Sequence, residues 1–168
     1  MRHVRSFTAV LALVALAMPA FAADAPKSNP AWEKMKSLVG AWQVNAGAMG
    51  PTSVTYRLVS NGSALMETME APGETEMITM YHPDGNAIMA THYCSMGNQP
   101  RMRASIPAGD VKSLRFAYLD ATNLANANVE VMRGLVVTFT DADHFQQQWT
   151  AQGGGKEQTS VFEYTRKK

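Results

Sequence analysis

Cysteine is almost absent from this chain of 168 residues, which contains a single one, Cys94. One cysteine cannot close an internal disulfide, so the fold must be stabilised by packing. In an oxidising compartment such a thiol is either buried and inert or used chemically.

The sequence also lacks a long hydrophobic run and clusters of charge of one sign. Its longest apolar stretch, residues 7–18, is shorter than the roughly 20 residues that a transmembrane helix needs. The 15 lysines and arginines balance 14 acidic residues. A near-neutral chain without basic runs has no electrostatic footprint for nucleic acid or for an anionic membrane, so we predict neither as a partner.

The N-terminus is organised like a secretory signal peptide. Two arginines and a histidine precede the apolar run, and residues 20–22 read Ala-Phe-Ala, an A-x-A cleavage site. No lipobox surrounds Cys94, so we expect no lipid anchor. We expect cleavage between Ala22 and Ala23 and a periplasmic or secreted protein. The predicted organisation is a signal peptide (1–22), a flexible leader (23–29) and one domain (30–168).

The rest of the sequence predicts one short helix followed by strands. Asn29 is a predicted N-cap, Pro30 takes the first helical position and Gly40 stops the helix. Beyond residue 41, short alternating segments are separated by turn residues, which is typical of antiparallel strands. We predict ten strands, at 41–46, 52–60, 64–71, 75–82, 86–95, 100–106, 112–118, 131–140, 144–151 and 157–166.

Ten strands joined in sequence by tight turns predict an all-β fold, a single antiparallel meander closed into a barrel with a short N-terminal helix. Closure removes the exposed edges that an open sheet would have to protect. Residues 119–130 break the rhythm of the strands. We interpret them as a long loop, with room for a helical turn, lying over one barrel mouth.

A helix followed by Gly40-x-Trp42 at the first strand resembles the calycin superfamily of lipocalins and fatty-acid-binding proteins. That resemblance implies a barrel in which a basic residue near the last strand stacks on the tryptophan, and Arg166 occupies that position. The alternative is that Trp42 is an ordinary core aromatic.

A closer resemblance is to a group of secreted bacterial lipocalin-like proteins. It covers nearly the whole chain after the signal peptide and is carried by "YRLVSNGSALMETM", "MITMYHPDGN", "THYCSMGNQPRM", "YLDATNL" and "FTDADHFQQQWT". It implies a small β-barrel and no particular activity. Members of the group carry a histidine just before the eighth strand, where residues 128–133 of this chain read "NVEVMR". A site that uses that histidine would be altered here.

A more distant resemblance is to nitrobindin-type haem barrels, which also have ten strands and lack a lipocalin disulfide. Those proteins bind haem through a histidine near the end of the chain. No histidine follows His144 in this sequence.

The stretch 91–102 contains the residues with the most evident chemistry. Side chains alternate across a strand, so His92 and Cys94 point to one face and Tyr93 to the other. Ile88 and Ala90, on the same face as His92, are apolar. This pattern favours an inward orientation for His92 and Cys94.

An imidazole and a thiolate on one face suit zinc, copper or iron, so His92 and Cys94 are candidate metal or haem ligands. His82 and His144 are candidate third ligands. The alternative is a hydrogen-bonded histidine beside a cysteine that is buried for packing. We favour packing, because two ligands do not complete the usual four-coordinate zinc site. The sequence therefore predicts no cofactor, with haem or a transition metal as the alternative.

Polar side chains on both faces of neighbouring strands predict an interior that is partly wet. Arg101 and Arg103 share one face of the sixth strand, and Gln146 and Gln148 share one face of the ninth. We expect a ligand in the lumen or at its mouth to be oriented by a polar set comprising His92, Cys94, Arg101, Arg103, Gln146 and Gln148.

Ten methionines follow the signal peptide. In a periplasmic protein, so many methionines suggest copper(I) binding. Met66 and Met69 are three residues apart on a strand, as are Met77 and Met80, so each pair projects to opposite faces. This spacing argues against a compact thioether cluster. Methionines in the lumen would suit an irregular apolar ligand, and plain core filling is the alternative.

The sequence favours a protein that is not an enzyme. Cys94 with His92 is the one nucleophile–base pair visible, and positions i and i+2 of a strand project in parallel, not toward each other. The acidic residues that cluster around one hairpin are interpreted as a solvated rim: Glu67, Glu70, Glu74 and Glu76.

The predicted function is that of a secreted barrel that binds a small, largely apolar molecule in its lumen, as a monomer or weak homodimer. One alternative is a metal- or haem-binding barrel that uses His92 and Cys94. The other is a structural or interaction protein of the envelope whose barrel is filled by side chains.

Overall fold

The computed structural model describes residues 29–45 and 50–168. The predicted signal peptide and the predicted leader, apart from Asn29, lie outside the described residues. The described elements are α1 (Pro30–Lys36), β1 (Gly40–Asn45), β2 (Pro51–Val59), β3 (Ala64–Glu70), β4 (Met77–Pro83), β5 (Ala87–Tyr93), β6 (Gln99–Ser105), β7 (Ser113–Thr122), β8 (Val131–Phe139), β9 (His144–Gly153) and β10 (Lys156–Arg166).

The ten strands form one closed antiparallel barrel. Each strand pairs with its neighbours in sequence, and β1 pairs with β10 to close the sheet, with Trp42 opposite Arg166. The predicted all-β meander barrel with a short N-terminal helix is therefore confirmed. The turn residues succeed as predictors because they reverse the chain cheaply between strands.

The two barrel ends differ. Because the strands alternate in direction, α1 and the connections β2–β3, β4–β5, β6–β7 and β8–β9 lie at one end, called here the helix end. The apolar side of α1, with Ala31, Trp32 and Met35, is buried in the core at this end. The connections β3–β4, β5–β6, β7–β8 and β9–β10 lie at the opposite end, called here the open end.

The helix begins as its sequence predicts. The side chain of Asn29 accepts a hydrogen bond from the backbone N–H of Trp32 at 2.9 Å, and Pro30 occupies the first turn, where its missing N–H costs nothing.

Across residues 29–45 and 50–168, no helix has the length and apolarity needed to cross a bilayer.

The C-terminal end of α1 is tied to the last strand by Arg166. The guanidinium of Arg166 lies over the Trp42 ring, 4.1 Å from its centroid. It donates to the carbonyl oxygens of Ser37 and Val39, both at 2.9 Å. The indole N–H of Trp42 donates to the Leu38 carbonyl at 2.8 Å. Stacking and hydrogen bonds together hold the C-terminal end of α1 against the barrel wall.

Gly40 makes this arrangement possible, and we expect Gly40→Ala to lower the free energy of unfolding by about 1–3 kcal/mol. Gly40 has a φ of +133°, and a Cβ added there would lie 2.9 Å from Nη1 of Arg166. Gly134 is the matched control, because a Cβ added there would meet its nearest atom at 3.8 Å. In urea denaturation Gly134→Ala should be neutral or slightly stabilising, and equal effects of the two variants would contradict the account.

The predicted loop at 119–130 is shorter than expected. Residues 119–122 continue β7, and residues 123–130 form bends and turns without a helix. The polar residues of the longer strand resemble a loop in sequence, but Asp120 pairs with Arg101 on the outer face. The shortened loop lies at the open end, where the side chain of Asn98 donates to the Glu130 carbonyl at 2.9 Å.

Candidate functional site

Most of the barrel interior is filled by large side chains. Trp42, Tyr56, Tyr81, Phe116 and Tyr164 are all at most 1% exposed. At the helix end Phe145 lies between the rings of Trp42 and Tyr164, with ring centroids 4.7 and 4.1 Å away. An open lumen is therefore not available in this half of the barrel.

A carboxyl group lies in the middle of this interior. Glu67, on β3, is 2% exposed, and the Tyr81 hydroxyl donates to its Oε2 at 2.6 Å. The Nε2 of Gln147, from β9, donates to the Tyr56 hydroxyl at 2.8 Å and lies 3.3 Å from Oε2 of Glu67. A residue from β3 and one from β9 thus meet across the barrel.

The amide oxygen of Gln147 extends the same network. It accepts from the Tyr164 hydroxyl at 2.7 Å and from the indole N–H of Trp149 at 2.8 Å. The Tyr164 hydroxyl also lies 3.4 Å from Oε1 of Glu67. We call this set the Glu67 network, with the members Tyr56, Glu67, Tyr81, Gln147, Trp149 and Tyr164.

The Glu67 network holds an acid without a basic partner. Burial raises the pKa of the Glu67 carboxyl, and the hydrogen bonds from Tyr81, Gln147 and the other tyrosines oppose that rise. Burial and the nearby carboxyl raise the pKa values of the three tyrosines. No lysine or arginine among the described residues forms an ion pair with Glu67. The neutral form of this carboxyl is therefore favoured relative to a solvated glutamate.

A small cavity lies between the Glu67 network and the open end. Its volume is about 40 Å³, and we call it the open-end cavity. Apart from Glu67 and Trp149, its lining residues are Met69, Met77, Thr79, His92, Met132 and Phe162. In the barrel wall Glu67 is opposite Thr79, which is opposite His92, and Met69 is opposite Met77. The cavity is thus apolar on most sides, with one carboxyl and one imidazole.

His92 is the least satisfied polar side chain of the open-end cavity. It is 6% exposed, and its Nδ1 lies 2.9 Å from the Thr79 hydroxyl. Its Nε2 is buried and has no hydrogen-bond partner among the described residues. Burial lowers the pKa of His92 to about 4, so the ring is neutral at pH 7. If Nδ1–H donates to the Thr79 hydroxyl, Nε2 presents its lone pair.

The structure separates Cys94 from the regular part of its strand. Cys94 follows β5 and is partly buried. Its backbone N–H donates to the Asn98 carbonyl at 3.1 Å, and its carbonyl accepts from Gly97 at 2.9 Å. Cys94 therefore forms part of an open-end turn and does not line the open-end cavity beside His92.

Arg101 and Arg103 lie on the outer face of the barrel. Arg101 Nε donates to Asp120 at 2.6 Å, and Arg103 Nε donates to Asp84 at 3.1 Å, with all four side chains exposed. Their expected position beside a lumenal ligand is wrong, because the inward side chains of β6 are Met102 and Ala104.

Gln146 and Gln148 also face outward, so the prediction chose the wrong face of β9. The buried side chains of this strand are Phe145, Gln147 and Trp149. Three consecutive glutamines give no contrast between polar and apolar positions, and the flanking aromatics were the available signal.

Alternation along β3 places Glu67 between the buried Leu65 and Met69, so Glu67 is not part of a solvated rim.

The candidate metal ligands are not brought together. His92 lies near the open end of β5, whereas His144 begins β9 at the helix end and is bonded to Asp141 at 2.9 Å. His82 is exposed near the helix end of β4. In the part of the chain that the structure describes, no group of three or more His, Cys, Asp or Glu side chains could hold a metal ion.

A haem does not fit the described interior. Pockets for drug-sized ligands have volumes of about 300–1,000 Å³. The open-end cavity, at about 40 Å³, is far smaller than a macrocycle requires.

The methionines are arranged differently from the expectation based on spacing. Within each pair one member points inward, as predicted, but the inward members Met69 and Met77 are opposite each other in the barrel wall. The outward members, Met66 and Met80, are likewise opposite each other. Met132, from β8, joins the inward pair around the open-end cavity. Spacing within each pair therefore does not exclude that methionines of different strands line one cavity.

Residues 128–133, where this chain lacks the histidine of the lipocalin-like group, lie at the open end of the barrel. Met132 lines the open-end cavity, and the guanidinium of Arg133 lies 4.0 Å from the centroid of the Tyr118 ring. The register of β8 and β9 shifts between Met132 and Gly134, so Arg133 is the extra residue of an irregularity in the strand.

Comparisons with known proteins give a likeness of fold. The sequence matches no protein-family model. It matches no curated protein at a significant level. The structure is similar to the crystal structure of Rv2717c from M. tuberculosis, with a TM-score of 0.56 and 11% identity over 83% of this chain and 98% of that one. At this identity the likeness concerns the fold alone.

Proposed function

We propose that this protein is a lipocalin-like barrel that binds a small ligand in the open-end cavity and works in the periplasm or outside the cell. The ligand has an apolar body that contacts the methionines, Trp149 and Phe162, and one polar group that meets His92. The proposed location is supported by the N-terminal sequence pattern of residues 1–22.

The observation that carries the proposal is the unpartnered Nε2 of His92. A buried polar atom without a hydrogen bond costs about 1–3 kcal/mol, so such atoms are uncommon in folded proteins. The rest of the cavity lining is largely apolar. A ligand with one hydrogen-bonding group would remove that cost where it binds.

The cavity also sets the size of the ligand. A volume of about 40 Å³ holds about three water molecules at roughly 10–15 Å³ each. A molecule of three or four heavy atoms fits without rearrangement. Longer molecules require Met69, Met77 and Met132 to move, and methionine has three rotatable bonds that allow such movement.

The test is a titration with 1-propanol and 1-hexanol, followed by the amide and indole N–H signals in NMR. We expect saturable shifts centred on Thr79, His92 and Trp149. His92→Phe keeps an aromatic ring but removes Nε2, and it should weaken alcohol binding by about fivefold, the value of one net hydrogen bond of about 1 kcal/mol. Tyr93→Phe, which removes one hydroxyl from the exposed neighbouring residue, should leave binding unchanged.

Absence of saturable shifts with either alcohol would overturn the proposal. Equal affinities of wild type and His92→Phe would leave a binding cavity but remove His92 from it. Identification by mass spectrometry of a small molecule that copurifies from native host extract would name the natural ligand.

The filled helix end supports a second candidate, an interaction protein of the envelope that works through its outer surface. Tyr93 and Met96 are exposed apolar side chains at the open end, 48% and 55% exposed, and such a role would use them. A barrel that binds neither alcohol, together with loss of a partner from native extract in Tyr93→Ser/Met96→Ser, would favour this candidate.

A further inference from the structure

We propose that the open-end cavity binds a soft monovalent metal ion, Cu(I), through the thioethers of Met69, Met77 and Met132 and through Nε2 of His92. The inference rests on the proposed function in one respect, that this cavity is a binding site. It differs in the class of ligand, which here is a metal ion and not an apolar molecule.

The barrel wall brings two of the thioethers together. Met69 on β3 and Met77 on β4 are opposite each other and both line the cavity. The Cβ atoms of such a cross-strand pair lie about 4.5–5.5 Å apart, so both flexible side chains can reach one point. Met132 approaches the same space from β8.

The imidazole is prepared for a metal by its neighbour. Thr79, on β4, is opposite His92 on β5. Along β4, Thr79 is also the next inward-facing residue after Met77. Its hydroxyl, 2.9 Å from Nδ1, can fix the tautomer and orientation of the ring. The nitrogen left over, Nε2, is the one without a partner among the described residues. Outer hydrogen bonds of this kind are typical of histidines that bind metals.

The donor set selects the ion. Thioethers are soft ligands that favour Cu(I), and imidazole also suits copper, whereas hard cations prefer several oxygens. The Trp149 ring lines the cavity, with its centroid 4.9 Å from that of His92, so its face can attract a monovalent cation. The carboxyl of Glu67 lies in the same lining, and a bound cation would favour its ionised form, which offsets the positive charge. A volume of about 40 Å³ suits one ion with its ligands.

The experiment is an anaerobic titration with Cu(I) held by the competing chelator bicinchoninate. All variants carry Cys94→Ser, because a free thiol would bind Cu(I) on its own. We expect one Cu(I) per chain and a loss of affinity of more than about 100-fold in Met69→Leu/Met77→Leu, beyond the 10–100-fold typical of outer-shell changes. Met66→Leu/Met80→Leu is the matched control, since this pair is also opposite in β3 and β4 but faces outward.

Thr79→Val provides a second, milder test and should weaken Cu(I) binding by about 10–100-fold. X-ray absorption of the Cu(I)-loaded protein should show sulfur together with nitrogen neighbours. Equal affinities of the inward and outward methionine variants, or absence of Cu(I) binding in the Cys94→Ser protein, would overturn the inference.

The two proposals can fail separately. Leucine keeps the cavity apolar, so Met69→Leu/Met77→Leu should still bind 1-propanol and 1-hexanol. Alcohol binding without Cu(I) binding would overturn the metal inference alone. Absence of both would overturn the assignment of the open-end cavity as a binding site.

Discussion

Replacing Glu67 by leucine is expected to lower the free energy of unfolding by about 2–4 kcal/mol, because it leaves two buried donors without an acceptor at about 1–3 kcal/mol each. Those donors are the Tyr81 hydroxyl, 2.6 Å from the carboxyl, and the amide N–H of Gln147 that does not bond Tyr56, with its nitrogen 3.3 Å from the carboxyl. Part of the loss is recovered because a buried acid no longer needs to be desolvated. Urea denaturation at pH 7, followed by circular dichroism, measures the difference.

Two control variants separate the hydrogen bonds from the charge and from the strand. Glu67→Gln keeps the volume and one acceptor oxygen, and it should change stability by at most about 1 kcal/mol. Glu70→Leu makes the same substitution on the exposed outer face of β3 and should stay within about 0.5 kcal/mol. If Glu67→Leu were as stable as Glu70→Leu, the Glu67 network would not depend on its carboxyl.

The fold was predictable because its signals are local. Each hairpin carries turn residues such as Asn61-Gly62 or Asp84-Gly85, and the positive φ values of Gly62 and Gly85 are those that favour glycine. The N-cap at Asn29 is equally local, whereas the helix ends at Lys36, before the predicted stop at Gly40. The error at residues 119–122 has the opposite cause, since an outward-facing strand can be as polar as a loop.

The candidate site was less predictable, because it depends on which residues lie opposite each other in different strands. The spacing of Met69 and Met77 along the chain says nothing about their pairing, which the connection at residues 71–76 decides. Gln147 reaches Tyr56, 91 positions away in sequence, only through closure of the barrel. Alternation could have placed Glu67 inside, between Leu65 and Met69, but it could not have identified Tyr81 as its donor.

The inward orientation of His92 was inferred from Ile88 and Ala90, and the structure places all three inside. The prediction failed for Arg101 and Arg103, where the choice of face rested on charge and not on apolar neighbours. Met102, between the two arginines, and Ala104, just after them, are apolar and were the better indication of the inward face of β6. In a barrel whose core contains polar residues, apolar neighbours at i±2 are the more useful guide to orientation.

Acid should destabilise the metal-free protein through His92. The unfolded chain binds a proton at this residue near pH 6.5, but in the fold burial lowers the pKa of His92 to about 4. Between these pH values the unfolded state binds more protons, so stability falls as the pH falls. Since one pKa unit is 1.36 kcal/mol, the full loss below pH 4 is about 3 kcal/mol.

The measurement is the free energy of unfolding from urea denaturation at several pH values between 7.5 and 4. Glu67 acts in the opposite direction, because its raised pKa stabilises the fold as the pH falls, so the difference between wild type and His92→Gln is the informative quantity. That difference should grow in favour of the variant on acidification. His82→Gln, which removes an exposed imidazole near the helix end, should follow the wild type. A His92→Gln curve parallel to the wild type would contradict this account, because it would mean that the fold does not lower the pKa of His92.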